Sequence, residues 1–378
     1  MPNHGMRWTR RQVLGAAAAG AASLLLAACG QQATPTPTTA PAAQPAASPT
    51  PAATKAAASP TSAATTAAAS PTAAASPTAA STGTQMAVPT VAAGTKITIA
   101  IVPKLVHPFF EDVRKGASQK AQELGVTLQW VAPQTADPAT QVKMIEDLIT
   151  KKVNAISISP NDPKSVEPVI AEGMKQGILM MTFDSDSPNS QRVMYIGTDN
   201  TNAGKAQGQA LAQLLGGKGK IGILTGGLSA LNLNQRIDGL KQAVGSSIQV
   251  VDIQATDDDA QKALSVSEAM LRAHPDLDGI ACVSATGGPA LAQVLKGPDF
   301  KDRIGKLKIV AFDDLDETKR AIQEGIIQAT MVQRPVQMGV LTVQWAYDIL
   351  TGKAKPPFQN IDTGVTVVTK DNLTTYTK

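Results

Sequence analysis

The sequence predicts an α/β protein of two doubly wound parallel-sheet lobes, and three observations carry that prediction. From residue 96 onward, short β-branched runs alternate with segments of helical period. Several helical segments end in glycine, at Gly125, Gly177 and Gly325, which suits the left-handed residue that closes a helix. The body that follows the N-terminal segments has about 280 residues, enough for two lobes with their own cores.

Taken in order, the first strand is read at 97–102 and its helix at 109–124, stopped by Gly125. A strand at 127–131 leads to a helix at 139–152, and a strand at 155–159 to a helix at 163–176, stopped by Gly177. Strands follow at 178–183 and 193–196, then a helix at 202–215. The second half repeats the scheme: strands at 221–224, 249–253, 279–283, 308–312 and 327–332 are interleaved with helices at 234–244, 260–273, 289–296 and 316–324. Asp257, Asp258 and Asp259 suit a cap for the 260–273 helix, and Asp316 and Glu317 suit the positive end of the helix they open. A helix at 335–350 and a strand at 365–368 finish the pattern. Such sheets bind ligands beyond the carboxyl ends of their strands, so the loops after each strand are where a site is sought.

The charge divides the chain. The formal net charge is +4, and Arg7, Arg10, Arg11 and Lys55 account for all of it, so residues 96–378 are neutral overall. A neutral body is a poor binder of phosphate backbones, which excludes a general nucleic-acid role. Between Gly30 and Thr95 the only charged residue is Lys55, and Ala, Pro, Thr and Ser make up nearly all the rest. That stretch cannot bury enough apolar area to offset chain entropy, and its recurrent prolines oppose a helix, so residues 30–95 read as a disordered tether. As a flexible coil it would reach about 45 Å.

Residues 1–29 read as an export signal. Arg10-Arg11 precede an apolar run at 13–28, too short to span a bilayer comfortably. Leu26-Ala27-Ala28-Cys29 resembles a bacterial lipobox, and the paired arginines resemble a twin-arginine signal. The resemblance implies cleavage before Cys29, a lipid on its thiol and export. Cys282, alone in an apolar run of the body, reads as a buried small hydrophobe.

The post-strand loops collect Lys104, His107, Phe109 and Phe110, then Asp184, Ser185 and Asp186. Further on come Asn232, Asn234 and Arg236, then Asp258, the segment 284–287, Asp313 and Gln333. Planar polar groups with two donor or acceptor positions match vicinal hydroxyls, and aromatic faces match the C–H faces of a sugar ring.

The body resembles the sugar-binding proteins of ABC importers, the ribose/galactose-type group with a type I periplasmic binding protein fold. The resemblance is carried by His107-Pro-Phe-Phe110, Thr182-Phe-Asp-Ser-Asp186, and Tyr195-Ile-Gly-Thr-Asp-Asn200 followed by Gly204. It continues through Asn234-Gln-Arg236-x-x-Gly239-Leu240, Ala273-His-Pro-Asp276, Val310-Ala-Phe-Asp313 and Val332-Gln-Arg-Pro-x-x-Met-Gly339. It implies two lobes joined by a three-crossing hinge, 96–198 with 333–361 and 199–332 with 362–378, that close over a solute. It also implies Phe109 and Phe110 as ring walls and Asp184, Arg236, Asp313 and Gln333 as hydroxyl binders. His107 stands where the family commonly has Asn, Ser185 where it often has Arg, and Asp258 where an aromatic wall is common, so ribose itself is not implied.

Each residue has a plainer reading. The phenylalanines could be core, since neighbours on a helix face different ways. Asp184 and Asp313 could be caps, Arg236 and Lys104 solvated charges, and Asp258 part of the cap of the next helix.

Enzyme readings lack residues. Only His107 of the three histidines is placed near other candidates, and no nucleophile accompanies it. Gly217-x-Gly219-x-x-Gly222 precedes a strand and so lacks the phosphate-cradling geometry. Asp184-x-Asp186 opens like a calcium loop, but Pro188 replaces the next ligand. The expectation is an extracytoplasmic, lipid-anchored, monomeric receptor for a monosaccharide or related polyol, without cofactor, metal or nucleic acid. Its partner would be an ABC permease or, alternatively, a membrane sensor or chemoreceptor.

Overall fold

The computed structural model describes residues 88–376. The export signal, Cys29 and most of the tether expected at 30–95 lie outside the described residues.

In chain order the first elements are β1 (Thr98–Val102), α1 (Pro108–Leu124), β2 (Thr127–Trp130), α2 (Pro138–Thr150), β3 (Ala155–Ile158), α3 (Glu167–Lys175), β4 (Leu179–Phe183) and β5 (Tyr195–Gly197). Then come α4 (Asn200–Leu214), β6 (Gly219–Thr225), α5 (Leu231–Val244), β7 (Ile248–Ala255), α6 (Ala260–Ala273), β8 (Gly279–Cys282) and α7 (Gly287–Leu295). The last are β9 (Lys308–Phe312), α8 (Asp316–Gln323), β10 (Ala329–Val332), α9 (Pro335–Leu350), β11 (Ile361–Asp362) and β12 (Thr366–Thr369).

These elements build two six-stranded sheets, as the alternation predicts. One has the order β11-β5-β4-β3-β1-β2 and the other β12-β10-β9-β8-β6-β7. The orders are the same, strand for strand, with β1 matching β6 and β4 matching β9. The strands run parallel except that β12 is antiparallel to β10. The chain passes between the sheets after β5, after β10 and between β11 and β12.

Alternate residues of each central strand enter opposite cores, which is why these strands read as continuous apolar runs. Ile99 and Ile101 of β1 join one cluster while Ala100 and Val102 join another. In the second sheet Ile309 and Ala311 of β9 enter one core, and Val310 and Phe312 the opposite one. Cys282 lies in the second sheet's core, where burial pushes its thiol up to about 12, consistent with an inert small hydrophobe.

Some boundaries differ from expectation. Helix α3 starts at Glu167 because Asp162–Ser165 form a turn, closed by Ser165 N–H to Asp162 Oδ2 at 2.8 Å. Helix α5 starts at Leu231, three residues earlier than read, which changes the face of every residue in its first turn. The two-residue strand β11 was not anticipated.

Helices α4 and α5 approach closely through Gly204 and Gly239. A Cβ on Gly204 would stand 2.1 Å from the Arg236 carbonyl oxygen, and one on Gly239 2.1 Å from that of Thr201. This contact holds the start of α5, and with it Arg236, against α4, where Arg236 Nε donates to Asn200 Oδ1.

Candidate functional site

The loops at the carboxyl ends of both sheets face each other and enclose one cavity. The space open to the centre of a water molecule is about 40 Å³. Extended by a water radius of about 1.4 Å on every side, a compact space of that size holds a solute of roughly 180 Å³. That is one sugar ring with its hydroxyls.

The apolar wall comes from the start of α1. His107 caps the helix, its Nδ1 accepting the Phe109 N–H at 3.2 Å, and Pro108 fixes the first turn. Phe109 and Phe110 both line the cavity. Their rings lie edge to face, centroids 5.2 Å apart, and Phe110 packs against Phe183 at 6.2 Å. Both also belong to the first sheet's core, so the wall and core readings hold together. Because His107 Nδ1 accepts, the neutral imidazole carries its proton on Nε2 and offers a donor. Burial pushes the His107 pKa down, against the pull of Asp258 and Asp184.

Asp184 follows β4 with φ +58° and is buried. Its Oδ2 accepts from Ser159 Oγ at 2.6 Å and stands 3.8 Å from Lys104 Nζ. Asp313 follows β9 with φ +63° and accepts from Gln333 Nε2 at 2.9 Å. Burial pushes its carboxyl up to about 7, although Arg236 pulls the other way. Neither acid caps a helix: Asp199 caps α4, and α8 starts after Leu315 without a side-chain cap.

Arg236 is 2% exposed, far from a solvated charge. Its Nε donates to Asn200 Oδ1, Nη1 to the Val283 carbonyl and Nη2 to Gln333 Oε1, each at 2.9 Å. The guanidinium lies 3.8 Å over the Phe312 ring. Burial lowers its pKa, but a guanidinium keeps its charge in proteins. Three of its five N–H groups are thus held by the protein, and the residue lines the cavity. Gln333, just beyond β10 where the chain changes lobes, also accepts from Thr198 Oγ1 at 3.0 Å on another crossing.

Asn232 and Lys104 meet across the cleft, Lys104 Nζ donating to Asn232 Oδ1 at 2.6 Å. Beside them Ser229 Oγ donates to the Asn161 carbonyl at 3.0 Å, a second direct bond between the lobes. Lys104 is 5% exposed; burial lowers its pKa while Asp184 and Asp258 oppose the shift. Sequence reasoning left Lys104 open as a solvated charge, because lysine is rarely buried. Its place two residues beyond β1 was the available signal. Asp258, Leu105, Leu233, Ser284 and Ala285 complete the lining. Leu105 and Leu233 were not among the candidates, while Ser284 and Ala285 belong to the segment 284–287, from which no contact residue was singled out.

Three candidates lie outside the lining. Asn234 is two residues from Asn232 on α5 and so turns away; its Nδ2 donates to the Leu228 carbonyl at 2.9 Å and ties the preceding loop. Asp186 is engaged by Arg192, Nη2 to Oδ2 at 2.5 Å, and by Thr182 Oγ1 at 2.6 Å, which locks the loop after β4. Ser185 is buried, and its Oγ has no hydrogen-bond partner among the described residues. Of the three aspartates at 257–259, Asp259 caps α6 by accepting from Lys262 N–H at 2.7 Å, which leaves Asp258 to the cavity.

The lining therefore offers carboxylate acceptors from both lobes, fixed N–H donors and an aromatic wall. No group of three or more His, Cys, Asp or Glu side chains among the described residues is placed to hold a metal ion.

Residues 99–354 match the model of a family described as "Periplasmic binding protein domain". The ribose import binding protein of Haemophilus influenzae is 31% identical over 258 residues, covering 68% of this chain and 86% of the relative. An ABC transporter solute-binding protein from Burkholderia graminis, solved in complex with D-arabinose, is 48% identical with a TM-score of 0.74, covering 76% of this chain and 100% of that one. A glucose-galactose binding protein from Geobacillus stearothermophilus is 32% identical with a TM-score of 0.70, covering 74% and 99%.

Proposed function

Since the chain belongs to the periplasmic binding protein domain family, we propose that it captures one monosaccharide or related polyol outside the cytoplasm and delivers it to an ABC import permease. Its family is one of sugar and polyol receptors rather than catalysts. In this reading 96–198 with 333–361 form one lobe and 199–332 with 362–378 the other. A lipid on Cys29 holds them at the membrane by the tether.

The observation that carries the reading is the one-ring cavity whose acceptors come from both lobes, Asp184 from one and Asp313 from the other. A solute bonded to both stabilises the closed arrangement over the open one, and only that difference in affinity drives closing. Asp184, Asp258 and Asp313 accept from hydroxyls; Lys104, His107, Asn232, Arg236 and Gln333 donate or bridge; Phe109 and Phe110 carry the ring face. The lining sets three acids, Asp184, Asp258 and Asp313, against two cations, Lys104 and Arg236, so an anionic sugar would meet no excess of positive charge. The ligand is therefore neutral, and D-arabinose, held by the Burkholderia relative, is the first solute to try.

A thermal-shift screen of the full chain against pentoses, hexoses, cyclic polyols and uronic acids tests this. A neutral sugar at about 100 times its Kd should add about 2.7 kcal/mol of stability. A shift with uronic acids or another solute class, and none with neutral sugars, overturns it.

A further inference from the structure

Against the one-ring cavity, on its solvent side, lies a second space of about 650 Å³ by the same measure as the cavity's 40 Å³. It runs along α6, α7 and α8 to the lip formed by Val106 and Pro108. The two spaces share His107 and Asp258, one residue from each lobe, so the partition between them is a single layer of side chains.

Asp258 is loosely held within that layer. The only hydrogen bond to its carboxylate among the described residues is a long one, 3.4 Å from Thr286 Oγ1. Its seat depends on Gly226, where a Cβ would stand 2.5 Å from Asp258 Oδ2.

The groove has a definite chemistry. Val106, Leu264, Pro289 and Leu315 give it apolar flanks, and Val106 is 51% exposed with nothing covering it. Its charged rim is paired internally, Lys296 with Glu324 and Arg320 with Glu317, each at 2.6 Å. An anionic occupant therefore finds no unpaired cation on the rim. No Phe, Tyr or Trp lines it, so a second sugar ring lying along the groove would find no broad face to stack on. An apolar aglycone needs none.

Resting on the sugar reading above, we propose that the cleft takes neutral glycosides, the ring enclosed in the cavity and an apolar alkyl or aryl substituent leaving between His107 and Asp258 into the outer groove.

The test is calorimetry on the full chain with D-arabinose, D-ribose and D-galactose, followed by the α and β phenyl glycosides of whichever sugar binds best. At least one phenyl anomer should bind within about tenfold of the free sugar. Gln293→Trp, on an exposed groove position of α7, should weaken that glycoside by more than about tenfold and leave the free sugar unchanged. Gln261→Trp on α6 should do the same. If the free sugar binds and both anomers fail, or if the groove variants weaken both ligands alike, the groove is not a subsite and the sugar reading stands. If no free sugar binds, the sugar reading fails and takes this inference with it. Binding of a disaccharide but no phenyl glycoside also overturns the aglycone assignment.

Discussion

Asp184 and Asp313 occupy the same place in the two sheets. Each directly follows its sheet's equivalent strand, β4 or β9, in a left-handed backbone conformation, φ +58° and +63°. Each donates its amide to the neighbouring strand, Asp184 to Ile196 O at 3.0 Å and Asp313 to Met331 O at 2.8 Å. An aspartate tolerates that conformation better than most residues, and it turns the carboxylate off the strand end into the cleft.

Asp313→Asn keeps a residue that accepts positive φ and removes the charge. It should lower sugar affinity by about 10- to 100-fold, the worth of a charge-assisted hydrogen bond. Calorimetry should show this loss with the melting temperature of the solute-free protein unchanged or raised. Asp313→Ala should abolish binding but also strain the turn.

The raised carboxyl of Asp313 sets a pH dependence. Between the unfolded value near 3.8 and the folded value of about 7, the folded state holds a proton that the unfolded state has lost. Stability of the solute-free protein should therefore fall as pH rises through that window and level off above it. The sloping contribution should vanish in Asp313→Asn. Sugar affinity should run the other way, rising from pH 6 to pH 8 as the carboxylate becomes an acceptor for hydroxyls. Urea titrations and calorimetry across the range check both signs.

The bond between Lys104 and Asn232 joins the lobes without a solute. Asn232→Leu strands a buried ammonium in the closed state and should weaken sugar binding by about 1–3 kcal/mol. Lys104→Met added to it removes the stranded charge and should restore part of the loss. A double-mutant cycle measures the coupling, and additive losses would show that the pair does not stabilise closure.

Gly204→Ala places a methyl against the Arg236 backbone, where nothing on the far side is a flexible side-chain end. It should cost about 1–3 kcal/mol of stability in urea titration and lower sugar affinity by displacing Arg236. Gly216→Ala, where a Cβ meets nothing within 4 Å but φ is +64°, should show the backbone cost alone.

Cys29→Ser should move the protein from the membrane fraction to the soluble extracytoplasmic fraction, since one polar residue replaces the proposed lipid site. Unchanged membrane association would remove the lipid-anchor proposal and leave the sugar proposal intact.

What the sequence revealed depended on whether the signal was local. Helices α6 and α9 lie where they were read, because Asp259 and Pro335 mark their starts by local chemistry. Strand β11 was invisible because its two residues are strand only through pairing with β5. Asn232 and Asn234 could not be separated from sequence, since the choice follows from α5 beginning at Leu231, a start without a side-chain cap. Lys104 was visible as a loop residue, but its burial comes from a partner 128 positions away.

The matched sheets have a stereochemical consequence. Two acids at equivalent ends of matched sheets do not, by themselves, set which way round a polyol lies between them. The residues that break the tie are those without a counterpart in the other sheet: the phenylalanine pair on the first lobe, the fixed guanidinium on the second, and Gln333 at the crossing between them. Handedness and anomeric preference therefore belong to these unmatched groups, and exchanging them should alter which sugar isomer is chosen before it alters whether sugars bind at all.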